Sequence, residues 1–71
     1  MKLSQVENNK LVTIKSLEKS DFSSKFHEFG IIPGAKIKIL NKALFNGPIY
    51  LEIDSSRIAI RNEEATFIEV E

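Results

Sequence analysis

The feature that most constrains this chain is an alternation of isoleucine or leucine with polar residues, repeated on several short segments. In Lys36-Ile37-Lys38-Ile39, in the run Ile49, Leu51, Ile53 and in the pair Ile58, Ile60, apolar side chains recur at every second position. A period of two puts those side chains on one face of a β-strand. Glycine, proline, asparagine, aspartate and serine separate the runs, as expected of turns between antiparallel strands. With 71 residues the chain forms one domain, residues 1–71. It holds no cysteine, so packing alone must stabilise it. A domain of this size buries only about 60% of its unfolded surface, and a 42% apolar fraction supplies one small core.

The expected elements follow from these patterns. Residues 1–10 form a polar lead-in, with Leu3 and Val6 packing as a turn and Asn8-Asn9 marking a turn. The first strand is residues 11–17, with Val12 and Ile14 on one face and Thr13 and Lys15 on the other. Residues 20–29 form a short helix capped by Ser20 or Asp21, with Phe22, Phe26 and Phe29 as one aromatic stripe. Gly30 takes the left-handed position that ends it. In Ile31-Ile32-Pro33-Gly34, proline presets φ and glycine accepts positive φ, as a type II turn requires. Strands are then expected at residues 35–40, 49–53, 57–61 and 67–70. Residues 41–48, with Asn46-Gly47-Pro48, form a hairpin tip, Asp54-Ser55-Ser56 a tight turn, and Asn62 caps a helical turn through Glu63, Glu64 and Ala65. The sum is mainly β: a small, partly closed antiparallel barrel of about five strands, with one short α-helix after the first.

Few residues offer chemistry. His27 is the one histidine, and with no cysteine any metal site would need carboxylates, so the expectation is no metal ligand set and no catalytic residue. His27 suits the C-terminal end of a helix as a solvated side chain. Glu63 and Glu64 follow a helix start, where negative charge is favoured. Gly30, Gly34 and Gly47, with Pro48, are turn residues and fit no phosphate-loop frame. Ten basic residues balance ten acidic ones, which argues against a nucleic-acid binder. Lys15, Lys36, Lys38 and Lys42 with Tyr50 could still form a local basic patch, read here as a solvated strand face. No apolar run approaches the ~20 residues that span a bilayer, and the N-terminus lacks the apolar stretch of a signal peptide, so a cytoplasmic protein is expected. Leu44 and Phe45 stand outside any periodicity. They either plug one end of the barrel or anchor a partner, and Ile31 and Ile32 pose the same alternative.

The order of motifs resembles the FeoA family, ferrous iron transport protein A, over essentially the whole length. The resemblance rests on Phe26-His27-Glu28-Phe29-Gly30-Ile31-Ile32-Pro33-Gly34, then Gly47-Pro48, Arg57-Ile58-Ala59-Ile60-Arg61, Glu63-Glu64-Ala65 and Ile68-Glu69-Val70. Phe29 and Ile31 replace the leucines usual around Gly30. Ser55 stands where glycine is usual, which puts a positive φ on serine. The resemblance implies an SH3-like barrel and a cytosolic, non-enzymatic accessory of bacterial ferrous iron uptake. It implies no cofactor and no membrane span, and a partner in FeoB, the membrane GTPase iron permease. Ile31, Ile32, Pro33, Leu44 and Phe45 are the contact residues it suggests. Two alternatives are compatible with the same residues: a free-standing regulatory or peptide-binding module like the C-terminal domain of iron-dependent repressors, and a small RNA-binding barrel.

Overall fold

The computed structural model describes residues 1–71. Its strands are β1 (Leu11–Leu17), β2 (Lys36–Lys42), β3 (Ile49–Ile53), β4 (Ser56–Ile60) and β5 (Ile68–Val70). A 3-10 turn, Leu3–Gln5, precedes them. Helix α1 (Ser23–Glu28) joins β1 to β2, and the single turn α2 (Asn62–Ala65) joins β4 to β5. All pairings are antiparallel, in the order β4-β3-β2-β1-β5.

Curvature comes from β1, which changes partner along its length. Leu11 to Thr13 face β2 and Ile14 to Leu17 face β5, with a register shift between Ile14 and Ser16. A second shift falls between Ile39 and Asn41 on β2. Such bulges bend strands and raise their twist, which lets five short strands wrap one core. That core holds the expected alternation: Ile37, Ile39, Ile49, Leu51, Ile53, Ile60, Ile68 and Val70 are buried with Ile14, while Lys36, Lys38 and Tyr50 face outward. Leu3 and Val6 are buried too, so the N-terminal turn closes one end. Phe26 is fully buried, and Phe22 bridges it to Phe67, with ring centroids 6.2 and 5.6 Å away.

The two sheet edges are treated differently. Along β5 the N-terminal segment pairs as a further bridge between Lys2 and Glu69, and the Val70 amide donates to the Met1 carbonyl at 2.8 Å. The Met1 ammonium lies 2.5 Å from Glu69 Oε2, and Lys2 pairs with Glu18 and with Glu69. On the far edge, β4 forms no ladder beyond β3.

Several boundaries differ from the sequence expectation. Strand β2 runs on to Lys42, because the bulge after Ile39 resets its period and conceals its end. Helix α1 starts at Ser23 rather than residue 20. The Ser20 side chain accepts from the Phe22 amide, and the Ser20 carbonyl accepts from the Ser23 amide, so residues 20–22 form a turn before the helix. Phe29, the last member of the aromatic stripe, sits past the final helical residue and is partly exposed. Asn62 does not cap α2. Arg61 holds that position, and its amide donates to Glu64 Oε1 at 2.7 Å, so the glutamate three residues on reaches back as in a capping box.

Candidate docking surface

The most exposed large apolar side chains stand at the tip between β2 and β3. The sequence Phe45-Asn46-Gly47-Pro48 carries Asn-Gly, the favoured pair for a two-residue type I′ turn. A turn centred there must be closed by an N–H from residue 48, and proline has none. The turn therefore moves back one residue. Gly47 donates to the Leu44 carbonyl at 3.1 Å, and Ala43 donates to the Pro48 carbonyl at 2.9 Å. Phe45 and Asn46 become the central pair, each at φ 58°. Left-handed backbone suits asparagine but costs a residue such as phenylalanine roughly 1–2 kcal/mol. Gly47 is required by space: a Cβ there would lie 2.8 Å from Ala43 Cβ and 3.1 Å from the Leu44 carbonyl oxygen. The result is a tip with Leu44 81% and Phe45 98% exposed. Of the two readings open in the sequence, the barrel plug is thus excluded.

The segment after α1 is built as tightly and points the other way. Gly30 adopts φ 79°, its amide bonds the His27 carbonyl, and the Ile31 amide bonds the Phe26 carbonyl at 2.8 Å. This is the Schellman ending of a helix, in which the residue after the glycine packs back on the last turn. It drives Ile31 fully into the core, so the expectation of Ile31 as surface is corrected. Gly34 at φ 92°, with the Ala35 amide on the Ile32 carbonyl at 3.0 Å, completes the type II turn around Pro33. Ile32 and Pro33 remain exposed. They precede β2, whereas Leu44 and Phe45 follow it. A seven-residue strand of roughly 20 Å separates them, so the structure does not gather the suggested contact residues into one patch.

One electrostatic strut supports this framework. Glu64 is 2% exposed and the one charged residue in the buried set. Its Oε2 accepts from Lys25 Nζ at 2.7 Å and its Oε1 from the Arg61 amide, so α2 is tied to α1. Burial pushes the Glu64 carboxyl up. The Lys25 ammonium, the Arg61 amide and the nearby positive charges outweigh that and hold it below the usual carboxylate range. Lys25 also lies 5.9 Å above the Phe29 ring. No local pattern could have revealed Lys25 as the partner of a residue so distant in sequence. Nor did the spacing Arg61-Asn62-Glu63-Glu64 reveal the other half of the contact, since arginine is not a capping-box residue and Asn62 is the better intrinsic cap.

The remaining candidates are dispersed. His27 is exposed beside Ser23, Ser24 and Glu28 on an open polar surface. No three side chains among histidine, cysteine, aspartate and glutamate are grouped to hold a metal ion. Lys36 and Lys38 face solvent, but Lys42 leaves the supposed basic patch: its Nζ donates to the Ser4 carbonyl at 2.9 Å. A shallow cleft of about 360 Å³ lies beside the tip, lined by Asn46, Gly47, Pro48, Arg61, Asn62 and Glu63.

The chain folds as a five-stranded SH3-like barrel with a filled core, and its two most exposed large apolar side chains stand together on one turn. The comparisons with known proteins give the family. The family model for the FeoA domain matches residues 1–71, and the chain belongs to the FeoA family. The solution structure of iron(II) transport protein A from Clostridium thermocellum superposes with a TM-score of 0.93 at 38% identity, over 100% of this chain and 44% of that one. The chain thus spans less than half of that relative. Zinc-bound FeoA from Stenotrophomonas maltophilia, described as a prokaryotic SH3 domain protein, gives 0.86 at 20% identity, over 100% of this chain and 89% of that one. A manganese-dependent transcriptional repressor gives 0.87 at 21%, over 96% of this chain and 39% of its own. At that identity the likeness shows that metal-dependent repressors share the fold. No curated protein matches the sequence significantly. The family is associated with ferrous iron transport as an accessory. No helix is long and apolar enough to cross a membrane.

Proposed function

We propose that this chain is a cytoplasmic accessory of bacterial ferrous iron uptake that docks on the membrane GTPase permease FeoB and modulates it. The contact is the Leu44 and Phe45 tip, with Ile32 and Pro33 as a separate, smaller contact. The observation that carries this reading is Phe45, held in left-handed backbone with its ring almost wholly in water. Backbone strain concentrates at functional sites, and aromatic anchors contribute disproportionately to interfaces. A phenylalanine in that conformation stabilises nothing in the free protein.

The test is the pair Leu44→Ala and Phe45→Ala, with binding to the cytoplasmic GTPase domain of FeoB measured by calorimetry. The expected result is a loss of at least about tenfold in affinity, typical of removing a hot-spot anchor, with an unchanged melting temperature. Undiminished binding by the folded double variant overturns the reading.

A further inference from the structure

The edge of β4 carries an inference that is independent of the hairpin tip. Ile53 and Ser56 flank the two-residue turn Asp54-Ser55, whose φ values are 51° and 67°. Residues flanking such a turn exchange hydrogen bonds, and bonded pairs alternate from there. Ser56, Ile58 and Ile60 therefore bond to β3, while the N–H and C=O groups of Arg57 and Ala59 point away from the sheet. None of the backbone hydrogen bonds outside the ladders involves Ser56–Ile60. These four groups form an open template for one more strand.

The side chains around that template define what it takes. Arg57, Ala59 and Arg61 alternate on the outer face and all are exposed. Arg57 reaches only Glu52, at 3.8 Å, and Arg61 has no carboxylate within ion-pair distance. Between the two arginines, Ala59 pairs across the ladder with Tyr50, whose ring is partly exposed, so a small residue beside a large one leaves a shallow seat. On the inner face Ile58 is only half buried. We propose that the β4 edge binds an extended acidic segment of a partner protein by strand addition, with its carboxylates on Arg57 and Arg61 and an apolar residue covering Ile58.

A second copy of this chain is a poor occupant. Only Arg57 and Ala59 can face an equivalent edge in bonded pairs, because the Arg61 amide and carbonyl are already bonded to Glu64 and Ala65. Each two-fold register then sets arginine opposite or diagonal to arginine: 57 on 57, 57 on 59, or 59 on 59, the last placing 57 opposite 61. Like charges so placed repel.

The probe is a capped peptide of about nine residues, glutamate alternating with valine, titrated into the isotope-labelled full chain and followed by NMR. The expected result is that the Arg57 and Ala59 amides shift and exchange with solvent at least about tenfold more slowly. N-methylation of alternate peptide amides on the edge facing β4 should abolish binding, and methylation on the other edge should not. Replacing glutamate by lysine should weaken binding at least about tenfold. Failure to bind at millimolar peptide, binding indifferent to which edge is methylated, or shifts confined to Leu44 and Phe45 overturns the proposal. So does self-association through β4 without peptide, which would assign the edge to a second copy. The proposed FeoB contact is tested separately, by substitutions at Leu44 and Phe45 that leave the β4 edge intact.

Discussion

Two residues show how far a single side chain shapes this molecule. Glu64 makes two charge-assisted hydrogen bonds with almost no access to water. Glu64→Gln removes the charge but keeps the shape, leaving Lys25 without its carboxylate. Because the Lys25 side chain is partly in water, the loss falls at the low end of the range for a broken polar pair, about 1 kcal/mol, and urea denaturation at neutral pH should find it. Because the folded state lowers the Glu64 pKa, its contribution is fully present above the unfolded value of about 4.3 and fades as pH falls through the lower, folded value. The stability gap between wild type and variant should therefore close in acid. Phe45 runs the opposite way. Phe45→Asn places a residue that tolerates left-handed backbone at φ 58°, and should stabilise the free protein by about 1 kcal/mol while weakening partner binding. A melting curve read beside a binding isotherm checks both halves.

At the scale of elements, two glycines act through different physics. Gly30 sits at φ 79° with open space where its Cβ would be. Gly30→Ala should cost about 1 kcal/mol for backbone conformation alone, and no neighbouring substitution should recover it. Gly47 lacks positive φ but touches Ala43. Gly47→Ala should be rescued in part by Ala43→Gly, a non-additivity that a double-mutant cycle in urea would register. Elements whose logic is local were legible in the sequence: the isoleucine alternation of β2 and β3, the Gly30 helix end and the Pro33-Gly34 turn. Serine at position 55 does adopt positive φ, at 67°. What could not be read depended on competition. Asn46-Gly47 advertises one turn and Pro48 forbids it, so the exposure of Leu44 and Phe45 follows only once both are weighed. Likewise Asn62 is a better intrinsic cap than Arg61, yet Glu64, anchored by Lys25, fixes where α2 begins.

For the molecule as a whole, the stability margin is narrow. A 71-residue chain of ordinary stability has roughly 4–10 kcal/mol in hand. Phe26 is fully buried and packs at a tilt against Phe22, which packs likewise against Phe67. Phe26→Ala should cost about 3–5 kcal/mol, enough to leave a large unfolded population at physiological temperature, visible as collapsed dispersion in a proton NMR spectrum. The sequence pattern sufficed for the barrel because its core is local in register. It did not suffice for the exposure of Leu44 and Phe45, which depends on where the turn between β2 and β3 settles.

The cover along β5 has an architectural consequence. Met1 and Val70 are joined by a backbone hydrogen bond, so the N-terminal segment and the end of β5 lie side by side. Such a barrel can be spliced into another polypeptide, or circularised through a brief linker and reopened between Asp54 and Ser55, without dragging a strand across its surface. Grafting of this kind offers a geometric reason why the same fold serves both as a free-standing unit and as a segment of a larger regulator.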